Sequence, residues 1–164
     1  MRALLLSVFS AFLLTLSAAN AGQLWTATGS TGTIDPAVIS IATIGTSSVG
    51  FSSSSSSTTP ITVRYNVTLD DTTAPTWTTL EILANNANVT NGVIATLYSV
   101  NRSNGTVTLI ASVGSAASAS TQAFTGAIGT STTFDFTNNY YVVKAILSRA
   151  SSTAFPTLQG VRLY

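Results

Sequence analysis

The chain has 164 residues, of which six are basic and five acidic, and it contains neither histidine nor cysteine. Charged residues make up 7% of it, so no clustered Lys/Arg stripe exists to neutralise a nucleic-acid backbone, and no polybasic segment exists to hold an anionic membrane. The lack of histidine removes the commonest general base and metal ligand together.

Residues 1–21 read as a signal peptide. Arg2 supplies the positive start, Ala3 to Leu16 the apolar run, and Ala19-Asn20-Ala21 the small residues before a cut at Gly22. The apolar run is too short for a membrane anchor, so residues 22–164 are expected outside the cytoplasm, with no membrane insertion after cleavage. They are enough for one domain with its own core. Serine and threonine form about a third of that part. A secreted domain without disulfides must be held by its core or by neighbours, and so little charge leaves hydroxyls, amides, glycans or assembly to keep it from precipitating.

In chain order, "AVISIATI" (37–44) and "SSVGF" (47–51) read as strands. The serine-rich stretch 52–60 follows as a flexible loop inside one domain, since residues 22–51 are too few to bury a core alone. "ITVRYNVTL" (61–69) is the clearest strand: Ile61, Val63, Tyr65, Val67 and Leu69 share one face, and Thr62, Arg64, Asn66 and Thr68 the other. "TWTTLEILA" (76–84) is next, then a loop over Asn85 to Gly92. "VIATLYSV" and "TVTLIASV" flank "NRSNG" as a hairpin, with Val107, Leu109, Ala111 and Val113 on one face. "GSAASAS" is a small-residue loop, and "QAFTG" and "TFDFT" are short strands. "YYVVKAILSR" (140–149) puts Tyr141, Val143, Ala145 and Leu147 on one face, yet its other face (Tyr140, Val142, Lys144, Ile146) is also largely apolar. That pattern predicts a central strand covered on both sides for part of its length. "TLQGVRLY" (157–164) is the last strand. Eight to ten strands with turn signals between them predict an all-β fold: an antiparallel two-sheet sandwich of jelly-roll type.

The segments "VRYNVT" (63–68), "PTWTTLEI" (75–82) and "YYVVKAILSRASSTAFPTLQGVRLY" (140–164) resemble an uncharacterised group of secreted bacterial all-β proteins. The resemblance spans most of residues 22–164. It implies one secreted domain and carries over no site.

Chemical motifs are sparse. Four Asn-x-Ser/Thr sequons, at Asn66, Asn88, Asn101 and Asn104, are candidate glycosylation sites, although a chain this rich in Ser and Thr produces about that many by chance. Asp70-Asp71 reads as a turn closing a strand, or else as part of a Ca²⁺ site. Glu81 with Asp135 (or Asp71) would serve a small hydrolase only if the fold brought them together. A serine–Lys144 dyad is formally available, but a mid-strand lysine on an apolar face reads better as one that snorkels. "GSTGTIDPA" lacks a phosphate-cradling lysine, and no cofactor is indicated. Trp25 and Trp77, set among hydroxyls, could stack on sugars or be ordinary core residues. Alternating threonines (Thr26/Thr28, Thr76/Thr78) recur as good solvent-side strand residues, an ice-binding face being the sharper reading.

These observations lead to two expectations. The first is a non-catalytic, secreted structural protein that packs against copies of itself or other surface components as a filament, coat or matrix, with residues 22–51 pairing in cis or donated to a neighbour. The alternative is a carbohydrate-binding or adhesive surface module whose partner is a polysaccharide.

Overall fold

The computed structural model describes residues 23–69, 73–86, 92–130 and 132–164. The expected signal peptide, the Asp70-Asp71 pair and the Asn88 sequon lie outside the described residues. The described strands are β1 Trp25–Thr28, β2 Thr33–Ile34, β3 Ala42–Ile44, β4 Val49–Phe51, β5 Ile61–Val67, β6 Thr79–Asn86, β7 Gly92–Asn101, β8 Val107–Gly114, β9 Ser118–Ala127, β10 Asn139–Ser148 and β11 Thr157–Leu163. They form two sheets, β3-β4-β11-β6-β9, with β1 also on β11, and β2-β5-β10-β7-β8. Every described pairing is antiparallel. From β4 onward the chain changes sheet at each connection except the β7–β8 hairpin, which is jelly-roll winding. The expected fold class holds.

Period-two patterning does most of this. Ile61, Val63, Tyr65 and Val67 of β5, Leu80, Ile82 and Ala84 of β6, and Tyr141, Val143, Ala145 and Leu147 of β10 are all buried between the sheets. Each fully buried aliphatic side chain contributes about 1.5–3 kcal/mol. At one end of the sandwich Trp77 meets Phe134 edge-on at 4.9 Å, and Phe136 lies 4.6 Å from Tyr141. "TFDFT" is therefore not a strand. It is a turn whose two phenylalanines plug the core, with the Asp135 N–H donating to the Tyr141 hydroxyl at 2.8 Å.

Two bulges change which residues reach the core. In β8 the register slips between the pairs Leu97–Ala111 and Tyr98–Leu109. Ala111 and Val113 stay inside, and Val107 and Leu109, expected on the same face, emerge on the outside at 59% and 61% exposure. In β11 the slip at Gln159 lets Leu158 face inward together with Val161 and Leu163. "AVISIATI" also departs from expectation: Pro36–Ile41 is a 3₁₀ helix, and β3 begins only at Ala42. Asp35 accepts from the Ala37 N–H at 3.1 Å and Pro36 occupies the first turn, a helix-start signature that outweighs the β-branched content.

The chain before the serine run pairs within its own body: β1 and β4 on β11, β2 on β5, and β3 on β4. Gly29 is essential to this docking, because a Cβ there would lie 2.0 Å from the Leu158 carbonyl oxygen. Residues 52–60 then cross from β4 in one sheet to β5 in the other. Serine hydroxyls organise the crossing by accepting from backbone N–H groups two residues on: Ser55 Oγ from Ser57 and Ser57 Oγ from Thr59, both at 3.2 Å. The buried guanidinium of Arg149 gathers the segment, donating to the carbonyls of Ser55, Ser57, Ser152 and Ala154 and lying 4.2 Å over the Phe51 ring.

Two outcomes follow for stability. Arg149→Met, which strips the donors from four carbonyls, is expected to lower the unfolding free energy by about 3–5 kcal/mol in urea denaturation. Arg149→Lys should lose less, because one ammonium still satisfies part of the set. The second outcome concerns Tyr65, whose buried hydroxyl donates to the Gly29 carbonyl at 2.9 Å. Burial holds this phenol well above its ordinary value of 10.0. The unfolded phenol ionises first, so stability is fully present below that value and declines as pH rises through it. Tyr65→Phe should flatten this alkaline decline while costing about 1 kcal/mol at neutral pH. A smaller slope remains from Tyr141, which burial also raises.

Candidate functional site: a groove along the first strand

β1 pairs with β11 along one side only, and its other side faces β5 beyond the short β2 pairing. Along that free side runs an open groove of about 750 Å³. The cross-strand rows set its lining. Thr26, Arg162, Glu81 and Thr125 stand side by side on the outer face of the sheet, and Thr28, Gly160, Leu83 and Ala123 form the next row. Gly160 contributes no side chain, which leaves a notch in the second row. The β11 bulge adds Gln159, whose amide donates to Thr121 Oγ1 at 2.7 Å. Asn66 and Thr68 approach from the other sheet, and Trp25, in the inward row of Leu163 and Leu80 and packed against the core, borders the groove half-buried.

The charged pair in the groove is self-neutralising. Arg162 donates to Glu81 at 3.2 Å, and the Tyr164 hydroxyl donates to the other Glu81 oxygen at 3.3 Å. Arg162 also lies 4.9 Å over the Tyr164 ring. The groove thus presents hydroxyls, amides, one indole and a compensated ion pair, with no net charge. Four paired strands of one sheet, β1, β11, β6 and β9, contribute to its wall.

The residues singled out from sequence separate clearly. Trp77 is 2% exposed, and its indole N–H donates to the Gln23 carbonyl. It belongs to the core, and the sugar-stacking role considered for it has no open ring face to act through. Trp25 does reach the groove. Asn66 is exposed and lines it as well. Asn101 and Asn104 sit in the β7–β8 hairpin turn, where their side-chain oxygens accept from Ser103 N–H at 3.0 Å and Thr106 N–H at 2.9 Å. Glu81 and Asp135 line different depressions. Asp135 caps the turn before β10, and hydrogen bonds from the Asn138 amide and the backbone N–H groups of Asn138 and Thr137 hold its carboxyl below the usual carboxylate value. Lys144 lies on the outer face of β10, opposite Arg64 and Thr96. Among the described residues no three acids gather where they could hold a metal ion, and no helix is long and apolar enough to cross a membrane.

No family model matches the chain, and no curated protein sequence is similar to it. Solved structures with partial similarity to it do exist. A family two carbohydrate esterase from Cellvibrio japonicus gives a TM-score of 0.46 at 16% identity, covering 87% of this chain. This chain spans 33% of the esterase chain. The family 11 carbohydrate-binding module of a cellulosomal cellulase of Clostridium thermocellum gives 0.42 at 10% identity, over 86% of this chain and 85% of that one. The same organism's family 11 module in complex with a β-1,3-1,4-mixed-linked tetrasaccharide gives 0.40 at 8% identity, over 90% and 91% of the two chains.

The contribution of Gln159 and Arg162 to one groove was not visible in the sequence, because it depends on the bulge and on the pairing of β1 with β11. The different surroundings of the two indoles should be measurable. In acrylamide quenching of fluorescence, Trp77→Phe should leave a red-shifted, quenchable emission, and Trp25→Phe a blue-shifted one that acrylamide barely reaches.

Proposed function

We propose that this chain is a non-catalytic, exported surface module that holds a neutral polysaccharide in the groove along β1. The observation that carries the reading is the lining itself: an indole edge, threonine hydroxyls and the amides of Asn66 and Gln159 around a trough with no net charge. A polyhydroxylated chain offers hydroxyls to side-chain donors and acceptors, which this groove supplies, and C–H groups to the part of the Trp25 indole that its packing against the core leaves open. A charged polymer would gain nothing here, because Glu81 and Arg162 already satisfy each other. The groove is open, as a polymer crossing it requires. Donation of residues 22–51 to a neighbour would need the in-chain pairings of β1 to β4 to open first, so the cis arrangement favours a closed module.

Affinity electrophoresis and calorimetry against neutral glucans and xylans provide the test. Binding to at least one is expected, with Trp25→Ala weakening it roughly tenfold or more, about 1.4 kcal/mol. Arg162→Ala should weaken it less, by loosening Glu81. Binding that survives Trp25→Ala unchanged, or that requires an anionic polymer, would sink this reading.

A further inference from the structure

β10 is central as expected, but its second apolar face is covered by no described element. Tyr140 stands on that face, 55% exposed, with Val100 of β7 opposite it and Val142 two residues along. At this corner the outer face is hollowed into a depression of about 570 Å³, lined by Asn66, Thr68, Val100, Arg102, Tyr140 and Val142 among others. Asn66 and Thr68 also line the groove along β1. β2 pairs only with Val63 and Arg64 of β5, so these two exposed side chains lie past its end and form a rim common to both hollows. From that rim the depression runs over Val142 and Tyr140 of β10 to Val100 of β7, about 10 Å further at the strand spacing of a sheet.

We propose that this continuation is a second subsite for the polysaccharide held along β1, with Tyr140 as its stacking platform. The inference rests on the reading of the β1 groove as a polysaccharide site and extends it. The ring is the first argument. Trp25 packs against the core and gives the groove only part of its indole, whereas Tyr140 projects from the outer face. The Arg102 guanidinium lies 4.4 Å over the Tyr140 ring and donates to the Thr137 carbonyl at 3.0 Å, which covers one ring face and holds the ring in place. The exposure of Tyr140 is therefore on the rest of the ring, where the C–H groups of a sugar can pack. Free polar groups are the second argument. The Asn66 amide and the Tyr140 hydroxyl have no hydrogen-bond partner among the described residues, so both can serve the hydroxyls of a polyol. Charge is the third. Arg102 is the charged side chain lining the depression, and it is engaged by the ring and by the carbonyls of Phe136 and Thr137. The subsite thus takes the same neutral, hydroxylated polymer as the groove.

Calorimetry with glucan and xylan oligosaccharides of rising length, from the disaccharide upward, and with the parent polymers tests this. Affinity is expected to keep rising with length. Tyr140→Ala should weaken binding of the longest oligosaccharides and the polymer roughly 5–10-fold, and that of the disaccharide by less than ~2-fold. Tyr140→Phe keeps the ring and should stay within ~2-fold of the native chain at every length. Ile94→Ala, at an exposed position of the same sheet face outside the depression, should change nothing. Thermal unfolding establishes that every variant remains folded. Polymer binding that needs Trp25 but is unmoved by Tyr140→Ala overturns the second subsite and leaves the β1 groove standing. A loss on Tyr140→Ala that is equal at every length overturns it as well, as does an Ile94→Ala loss of the same size. Binding that needs Tyr140 and not Trp25, or no binding at all, overturns the groove reading and the continuous path together.

Discussion

A strand in a two-layer sandwich can give one face to the core, and this constraint orders the whole molecule. With no cysteine to staple it and few charges to orient it, the fold is held by two sheets burying one face each. Where the apolar content exceeds what one face can absorb, the surplus is left outside. β10 is the clearest case. Its inner residues Tyr141 to Leu147 are buried, while Tyr140, Val142 and Ile146 stand on the far side among Val100, Tyr98 and Leu109.

The same constraint explains how the connections are secured. A chain that changes sheet at nearly every step must carry backbone across the edges of the core, where carbonyls need partners. The crossing from β4 to β5 is made of serine, and it is held by hydroxyl-to-backbone bonds and by one buried guanidinium. Arg149 has no carboxylate among these partners. Its charge is dispersed over four backbone carbonyls and the face of Phe51, which is work that a planar five-donor group does and an ammonium cannot. On the opposite side, β8 and β9 close the sandwich by direct approach. A Cβ on Gly126 would lie 2.4 Å from the Ser112 carbonyl oxygen.

The two outer faces are chemically unlike. One carries hydroxyls, amides and a neutralised ion pair around a trough, chemistry suited to a neutral polyol chain. The other carries aromatic and aliphatic side chains on β10, β7 and β8 beside the polar outer face of β5, with Arg64 and Lys144 in one row and Arg102 stacked on the Tyr140 ring. The two faces meet at β5, whose exposed Asn66 lines the groove and stands opposite Val142.

Much of this was legible in the residues. Strict alternation in 61–69 and 140–149 determined which side chains are buried, because a strand has a period of two and water accepts only one of its faces. Asp35-Pro36 carried a helix start that the β-branched residues after it obscured. The absence of histidine and the thin charge bounded the chemistry before any coordinate was known. Other features belong to the tertiary structure alone. Trp25 and Trp77 have similar neighbours in sequence, yet one lines a groove and the other is sealed under Phe134. The bulges at Ile110 and Gln159 leave no mark in the alternation, because a single extra residue costs little locally and is chosen by how the partner strands align. Those two slips send Val107 and Leu109 outward and bring Gln159 beside Arg162. Composition and period decided the class of fold and the core. Register decided which residues meet, since a shift of one residue exchanges the two faces of a strand.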